Sequence, residues 1–251
     1  MENLHIFITN NLAEEFTKQI VRFSSATNGP WSFFASGGSL APELYQELAA
    51  NSDFWPSASR MSVYLGDERV TDPALETSNI FSVMNSLINP LLSHSAVPTV
   101  FPPFTKAQLQ QLSASSQVIS ANDYERFQTL ADAYSDQIAV SPKPWLIHLG
   151  IGSDGHTASL FPFSPALGEA GLGKEYLANY DPNGLNPYAR LTLSLETIGK
   201  AELVIITTRG KDKAAAIKGL LEGDTQTPVS RIKAAHVNLI IDYEAASLVE
   251  E

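Results

Sequence analysis

Short apolar runs alternate with longer stretches of helical periodicity along most of this chain. The apolar runs predict buried strands, which lie at residues 4–9, 31–35, 61–65, 145–149, 189–193, 202–207 and 237–241. The intervening stretches predict helices at residues 11–26, 78–87, 122–138 and 211–221, a helix with Pro42 in its first turn that ends at Ala50, and a closing helix after the last strand. The alternation predicts an α/β fold, in which a largely parallel, Rossmann-like sheet is flanked by helices on both faces.

Nothing in the sequence divides the chain into separate parts, since it has no internal repeat, heptad pattern or low-complexity tail. Its 251 residues, of which 44% are hydrophobic, are enough for a sizeable core, so we expect residues 1–251 to form a single domain. The region 89–120, which is rich in Pro, Ser and Gln, is either a loop or a small insertion.

Composition excludes several classes of function. The chain has no cysteine, so disulfides and thiolate metal sites are impossible. Its formal net charge of −11 disfavours general nucleic-acid binding, which depends on basic patches, but permits a local cationic pocket. The opening MENLHIFITNN lacks the pattern of a signal peptide, and no apolar stretch approaches the roughly 20 residues that span a bilayer. We therefore expect a soluble cytoplasmic protein without membrane contact.

The most distinctive segment is HLGIGSDGHTASLFP at residues 148–162. Its glycines follow an apolar strand and belong to a loop that also contains Asp154 and His156. Glycines let a backbone approach a ligand closely, and the open edge of an α/β sheet is where such folds bind ligands. The segment predicts an acid–base pair on a strand-end loop, followed by a short helical turn that Thr157 opens and Pro162 stops. A plain turn with a surface histidine is the simpler interpretation of this loop taken alone.

Polar signatures at other strand ends favour the functional interpretation. Gly37, Gly38 and Ser39 lead from the second strand into a helix, and backbone N–H groups at such a helix start attract phosphate. The third strand ends in GDER, and the strand at 202–207 is followed closely by RGKDK. A basic start to a helix opposes the helix dipole, so the lysines of RGKDK favour an anion-binding role.

Five segments carry a family resemblance, in the order SGGSLAPELY, LGDERV followed by TSN, GIGSDGHTASLFP, RLTLS and TTRGKDKAAAI. Over roughly residues 30–245 they resemble the 6-phosphogluconolactonases, which share a superfamily and the deaminase/isomerase-type fold with the glucosamine-6-phosphate deaminases. The deaminases are similar through Asp-Gly-His but typically continue Ile-Ala-Phe-Asn-Glu-Pro. They also carry Asp-Glu-Tyr where this chain has Asp67, Glu68 and Arg69. Both differences favour the lactonase.

The resemblance implies hydrolysis of 6-phospho-D-glucono-1,5-lactone to 6-phospho-D-gluconate in the oxidative pentose phosphate pathway, without cofactor or metal. It implies that His156 is the general base that activates water, and the histidine reference pKa of about 6.5 suits that role. Arg69 would stabilise the developing oxyanion, with Asp67 and Glu68 only positioning it. Asp154 either orients the imidazole or serves as an Asx-turn residue.

The resemblance also implies a pocket for the 6-phosphate of the lactone, made by Gly38, Ser39, Arg190 and Lys213. Lys211 is expected to be solvated, and Arg231 is a further candidate contact. His148, at a strand end, is expected to be a packed residue. The histidines and acids match no metal signature such as His-Glu-x-x-His.

Two other functions are compatible with the same fold. One is a deaminase or isomerase of amino-sugar or aldose phosphates, which amine release from glucosamine 6-phosphate would reveal. The other is a non-catalytic sugar-phosphate sensor, which would bind 6-phosphogluconate without turning over any lactone. The presence of both His156 and Arg69 favours a catalyst over a sensor.

Overall fold

Within the residues that the structure describes, seven parallel strands make up the main sheet and three antiparallel strands make up a second, smaller one. The computed structural model describes residues 3–112 and 121–249. The strands in chain order are β1 Leu4–Ile8, β2 Trp31–Ala35, β3 Met61–Leu65, β4 Asp67–Arg69, β5 Thr99–Val100, β6 Trp145–Gly150, β7 Tyr176–Asn179, β8 Arg190–Leu193, β9 Leu203–Thr208 and β10 Val237–Ile241. The order across the main sheet is β1-β10-β9-β6-β2-β3-β5, and across the second sheet it is β4-β8-β7.

Helices connect most of the strands. They are α1 Leu12–Ala26, α2 Ala41–Ala50, α3 Trp55–Ala58, α4 Asn79–Val83, α5 Asn89–Ser93, α6 Lys106–Leu112, α7 Gln128–Ala139, α8 Leu195–Gly199 and α9 Ala214–Glu222. Asn11 caps α1, because its side chain accepts a hydrogen bond from the N–H of Glu14. Pro42 lies in the first turn of α2, where no N–H is needed. None of the helices within residues 3–112 and 121–249 combines the length and apolar character of a membrane span.

Side chains of the central strands point alternately to the two faces of the main sheet and build a core on each. On one face, Phe33 of β2 and Ile205 of β9 join a cluster with side chains of α1 to α5. On the other face, Phe34 and Ile206 join a cluster with α7, α9 and the second sheet. Burial on both faces explains the continuous apolar runs in the sequence. The predicted α/β fold with helices on both faces is confirmed.

Two predicted elements take a different form near the end of the chain. The strand expected at 189–193 forms β8 of the second, antiparallel sheet rather than a strand of the main sheet. The prediction of a closing helix is wrong, since residues 243–248 form turns. There the carboxylate of Asp242 accepts the N–H groups of Gly210 and Ala245, so a contact with a distant loop determines the local backbone.

Helices and a short strand also extend beyond the bounds predicted for residues 78–138. The helix expected at 78–87 continues from α4 through a π-helical turn, Met84–Ile88, into α5. The region 89–120 therefore contains α5, β5 and α6, and its residues 113–120 lie outside the described part of the chain. The helix expected at 122–138 is a 3₁₀ segment, Ala121–Phe127, followed by α7.

A buried carboxylate joins the second sheet to the helices of the main sheet. Glu68 of β4 is 1% exposed, and its side chain accepts the backbone N–H groups of Asn79 and Ile80 at 2.6 and 2.8 Å. It also accepts the hydroxyl of Ser78 and the N–H of Arg69. The N–H groups at the start of α4 have no partner inside the helix. Glu68 therefore fixes the start of α4 against β4, and with it the strand that carries Arg69.

His148 of β6 is packed, as expected, and it is also hydrogen-bonded on both ring nitrogens. It lies against Phe16 of α1, with ring centroids 4.7 Å apart. The hydroxyl of Tyr45 on α2 lies 2.7 Å from Nδ1, and that of Thr207 lies 2.9 Å from Nε2. Burial lowers the pKa of His148 to about 3, so the ring is neutral near pH 7.

Replacing Glu68 with glutamine should destabilise the fold. With its oxygen in the place of Oε1, the amide still accepts the N–H groups of Arg69 and Asn79, and the Ser78 hydroxyl can reverse to accept from the NH₂ group. Only the hydrogen bond from the Ile80 N–H is lost. Burial raises the pKa of Glu68 to about 7, so the folded protein already populates the neutral acid near neutrality, and glutamine resembles that form. A buried N–H left unpaired costs about 1–3 kcal/mol, and we expect the free energy of unfolding in urea at pH 7 to fall by about 1–2 kcal/mol. The exposed Glu47→Gln is the matched control and should change it by less than about 0.5 kcal/mol. Equal stability of Glu68→Gln and wild type would contradict the role of Glu68 in fixing the start of α4 against β4.

The neutral state of His148 predicts a specific dependence of stability on pH. The unfolded chain protonates this histidine below about pH 6.5, whereas the folded chain does so only near pH 3. Stability is therefore lost as the pH falls from 6.5 towards 3, and the loss is about 2 kcal/mol at pH 5. Urea unfolding at pH 7.5 and pH 5 should show this additional loss in wild type but not in His148→Leu. An equal loss in both proteins would mean that the folded protein protonates His148.

Candidate active site

An open cleft lies at the carboxyl ends of β2, β6 and β9, three central strands of the main sheet. Its volume is about 950 Å³, including the open mouth. Open α/β sheets bind ligands at this edge, near the point where the strand order reverses. Four basic side chains, one acid and two histidines line the cleft, namely Arg69, Arg190, Arg209, Lys213, Asp67, His148 and His156. A chain with a net charge of −11 thus concentrates positive charge in one place.

The glycine-rich loop after β6 turns back on itself through backbone hydrogen bonds. The N–H of Gly152 donates to the carbonyl of His156 at 2.9 Å, and the N–H of Gly155 donates to the carbonyl of Gly152 at 3.0 Å. A side chain at position 152 would collide with the ring of His156 and the carboxylate of Asp154. Glycine is required there because the loop folds the acid and the base directly over the backbone.

Asp154 and His156 form a hydrogen-bonded pair. Asp154 Oδ1 lies 2.5 Å from His156 Nδ1 and also accepts the backbone N–H of His156 at 3.1 Å. One oxygen therefore makes the Asx-turn contact and orients the ring, which the sequence left as alternatives. Half-burial raises the pKa of Asp154, but the hydrogen bond and charge of His156 outweigh it and lower that pKa below its usual value. The contact places a proton on Nδ1 and leaves Nε2 able to accept one.

Residues 157–160 turn sharply instead of forming the predicted helical turn. They close on each other through a single antiparallel bridge, and Ala158 takes a φ of 48°. The second sheet holds the backbone of Ser159, whose N–H donates to the Thr192 hydroxyl at 3.1 Å. The carbonyl of Ser159 accepts the side-chain amide of Asn179 at 2.7 Å. These contacts take the place of the hydrogen bonds that a helical turn would make.

Arg69 and Arg190 lie opposite each other on neighbouring strands of the second sheet, where the antiparallel register pairs them directly. The guanidinium of Arg69 donates to the carbonyl of Thr77 at 3.0 Å, and that of Arg190 donates to the side chain of Asn186 at 3.2 Å. Asp67 Oδ2 lies 4.0 Å from Arg190 Nη1. Two cations in such proximity favour an anion, or a group that develops negative charge, in the cleft beside them.

Asp67 is a buried acceptor that organises this side of the cleft. Its carboxylate accepts the hydroxyl of Ser159 at 2.5 Å and the side-chain amide of Asn79 at 3.1 Å. Arg190 is 5% exposed, and its Nε has no hydrogen-bond partner among the described residues. Burial lowers the pKa of Arg190, Asp67 opposes that shift, and Arg69 adds to it. Arginine remains charged in proteins, so a largely buried cation lines the cleft.

Two turns build another part of the lining. Gly38, with a φ of 92°, lets the chain turn from β2 towards α2, and Ser39 follows it. Lys213 ends the 3₁₀ turn Lys211–Lys213 after β9 and is half-buried. Its ammonium lies 3.0 Å from the carboxylate of Asp212, which is exposed. A solvated ion pair of this kind constrains the lysine only weakly, so Lys213 can also bind an anion in the cleft.

Six of the seven residues predicted for the site line this one cleft, namely Gly38, Ser39, Arg69, His156, Arg190 and Lys213. The seventh, Asp154, contacts the ring of His156. Lys211 is exposed, as expected. Arg231 is not one of the described residues that line the cleft. Its guanidinium instead donates to the carbonyl of Leu167 at 3.0 Å.

The structure adds lining residues that sequence reasoning left out. Arg209 and Thr207 line the cleft from the end of β9, and Asn186 lines it beside Arg190. Arg209 belongs to the basic RGKDK segment, which was a usable signal. Thr207 and Asn186 are ordinary polar residues in the sequence, and only the fold brings them to the cleft.

The family described as glucosamine-6-phosphate isomerases/6-phosphogluconolactonase matches residues 7–241 of this chain. The 6-phosphogluconolactonase of Homo sapiens is 31% identical over 204 residues, which cover 77% of this chain and 69% of the human protein. The structure of 6-phosphogluconolactonase from Trypanosoma cruzi is similar with a TM-score of 0.80 and 26% identity, over 98% of this chain and 97% of that one. The enzyme from Leishmania guyanensis shares the fold over 99% of both chains, with a TM-score of 0.81 and 23% identity. The chain therefore belongs to the family of glucosamine-6-phosphate isomerases and 6-phosphogluconolactonases.

Proposed function

We propose that this protein hydrolyses 6-phospho-D-glucono-1,5-lactone to 6-phospho-D-gluconate, a step of the oxidative pentose phosphate pathway. One observation carries the proposal: an acid-paired histidine lines a cleft that also holds four basic side chains. Relatives from Homo sapiens and Trypanosoma cruzi bear the name 6-phosphogluconolactonase. A δ-lactone is a reactive ester, so a base, a charge stabiliser and a phosphate pocket are sufficient machinery.

His156 is the general base in this scheme. Asp154 keeps a proton on Nδ1, so Nε2 takes the proton of a water molecule whose oxygen attacks the lactone carbonyl carbon. The carbonyl electrons move onto oxygen and give a tetrahedral oxyanion. As this collapses, the bond to the ring oxygen breaks and the imidazolium returns its proton to that oxygen. The product is the open-chain acid, which ionises in solvent.

Arg69 stabilises the oxyanion in this scheme. The Thr77 carbonyl accepts one of its N–H groups, and Glu68 binds its backbone N–H. A cation held in place before the reaction stabilises developing charge without reorganising during it. Asp67, 4.0 Å from Arg190, offsets part of the repulsion between the two arginines before substrate binds.

Arg190 and Lys213 hold the 6-phosphate, together with the Ser39 hydroxyl and the backbone at Gly38. A phosphate dianion accepts hydrogen bonds and donates none, so it needs a site made of donors. The guanidinium of Arg190, which lines the cleft, and the weakly held ammonium of Lys213 supply donors of this kind.

The alternative enzymatic activity within the family is that of a deaminase or isomerase. The non-enzymatic alternative is a sensor that binds a sugar phosphate without turning it over. We expect no ammonia from glucosamine 6-phosphate above the blank, since Arg69 stands where the deaminases carry tyrosine. Lactone hydrolysis above the spontaneous rate excludes a sensor. Binding of 6-phosphogluconate with lactone loss only at the spontaneous rate would favour one.

Replacing His156 with alanine should lower kcat by about 10²- to 10⁴-fold while the fold survives, because the general base is lost. Acid release from the lactone measures the rate, after subtraction of spontaneous hydrolysis. The exposed His236→Ala is the matched control and should keep wild-type activity. Unchanged turnover by a folded His156→Ala protein would overturn the assignment.

Asp154→Asn separates the two contacts of Asp154. The asparagine oxygen can still accept the backbone N–H of His156, so stability should stay within about 1 kcal/mol of wild type. The amide cannot stabilise a charged imidazole as a carboxylate does, so kcat should fall by at least about 10-fold. Urea unfolding and lactone hydrolysis are measured on the same preparations. Full activity in Asp154→Asn would leave Asp154 with the turn contact alone.

Lys213→Ala tests the phosphate pocket. Wild type should prefer the 6-phosphorylated lactone to glucono-δ-lactone by roughly 10²-fold or more in kcat/KM, since two or three charge-assisted hydrogen bonds are at stake. Lys213→Ala should narrow this ratio by about 10-fold, whereas the exposed Lys211→Ala should leave it unchanged. An equal loss on both lactones would show that Lys213 does not bind the phosphate. Equal wild-type rates on both lactones would favour a general sugar lactonase.

A further inference from the structure

A chain of hydrogen bonds runs from the backbone after β2 to the cleft. The N–H of Ser36 donates to the Tyr45 hydroxyl at 2.8 Å, and that oxygen lies 2.7 Å from His148 Nδ1. On the other side of the ring, Nε2 lies 2.9 Å from the hydroxyl of Thr207. His148 and Thr207 both line the cleft, whereas Tyr45 is fully buried. This relay of Ser36, Tyr45, His148 and Thr207 is outside the catalytic scheme above.

The relay lies in an otherwise apolar layer. Phe16 packs 4.7 Å from the ring of His148, and Phe33 packs 5.9 Å from that of Tyr45. Polar groups in such a place are stabilising only when every donor finds an acceptor. Burial lowers the pKa of His148 to about 3, so the ring carries a single proton at neutral pH and must donate from one nitrogen only.

The position of that proton decides what Thr207 offers to the cleft. The Tyr45 hydroxyl already accepts the N–H of Ser36, and its own proton is best placed towards His148 Nδ1, at 2.7 Å, rather than towards the Ser36 carbonyl at 3.1 Å. The ring proton is then on Nε2 and is donated to the Thr207 oxygen. Thr207 has no other hydrogen-bond partner within the described residues, so its own proton is left for a ligand.

We propose that the Thr207 hydroxyl donates to the phosphate of the substrate, and that His148 is a positioning residue that keeps it a donor. All bonds of the relay then point the same way, from the Ser36 N–H towards the cleft. Thr207 lies at the end of β9, in the same lining as Arg209, Lys213 and Gly38. A sugar hydroxyl can either donate or accept a hydrogen bond with Thr207, whereas a phosphate dianion can only accept one. The inference rests on the proposed function, because it assumes a phosphorylated ligand in this cleft.

Thr207→Val removes the hydroxyl and keeps the shape of the side chain. For the 6-phosphorylated lactone, KM should rise about 10- to 100-fold while kcat changes less than about 3-fold. The kcat/KM for glucono-δ-lactone should stay within about 3-fold of wild type, and Thr207→Ser should restore KM. Thr17→Val is the matched control, since Thr17 is a buried threonine whose hydroxyl has no partner. Unchanged KM in a folded Thr207→Val protein would overturn the proposal.

His148→Leu tests the positioning role through a double-mutant cycle. Alone it should raise KM for the phosphorylated lactone by about 3- to 10-fold. Combined with Thr207→Val it should add nothing, because His148 acts only through the hydroxyl that is already missing. Additive losses would instead assign His148 a packing role.

Nitrogen NMR of ¹⁵N-histidine-labelled protein tests the relay in the wild type itself, and His148→Leu serves only to assign the signals. The His148 signals, identified by their loss in His148→Leu, should show a protonated Nε2 and an unprotonated Nδ1 at pH 7. A protonated Nδ1 would overturn the proposal, because Thr207 would then donate to the ring.

Failure of the relay and failure of the proposed function give different results. If wild type does not hydrolyse the lactone, the proposed function fails. The relay can then still be tested by calorimetry, which compares the binding of 6-phosphogluconate to wild type and to Thr207→Val. If wild type hydrolyses it but Thr207→Val leaves the preference for the phosphorylated lactone unchanged, only the relay fails.

Discussion

Two adjacent buried carboxylates on β4 determine how the parts of the cleft meet. Glu68 binds the start of α4, which packs on the main sheet. Asp67 binds the hydroxyl of Ser159, just after the loop that carries His156, and it lies 4.0 Å from Arg190. The proposed base lies on the loop after β6 of the main sheet, whereas Arg69 and Arg190 lie on the second sheet, so their separation depends on these contacts. Buried carboxylates that satisfy several donors at once resist displacement, because any movement leaves donors unpaired.

The main sheet could be predicted from the sequence because both of its faces are buried, which gives uninterrupted apolar runs. The observed strands Trp31–Ala35, Met61–Leu65 and Val237–Ile241 coincide with the predicted ones. The second sheet could not be predicted, since β4 consists of the charged residues DER and pairs with a strand far along the chain. The closing helix failed for the same reason: the bond from Gly210 to Asp242 is invisible to local periodicity.

The candidate site likewise contains residues whose association could be predicted from the sequence and residues whose association could not. Asp154 and His156 are close in sequence, so their pairing follows from one loop and a motif can indicate it. Arg69 and Arg190 meet through antiparallel register, which no local spacing encodes, and the family resemblance was needed to associate them with one ligand. Thr207 has no signature at all, because its place in the lining depends on the order of strands across the sheet. Local chemistry is thus predictable from the sequence, and long-range convergence is not.

Two histidines on one strand-and-loop unit illustrate how environment, rather than residue type, assigns chemical roles. His156 is half-buried beside the carboxylate of Asp154, which stabilises the ring after it takes a proton, so it can serve as a base. His148 is buried between aromatic rings, with hydroxyls as its hydrogen-bond partners, and none of the described residues places an anion beside it to compensate a positive charge. It must stay neutral, and a neutral ring hydrogen-bonded at both nitrogens can only transmit polarity from one hydroxyl to the other. The same side chain therefore suits proton transfer at one end of the unit and fixed donor orientation at the other.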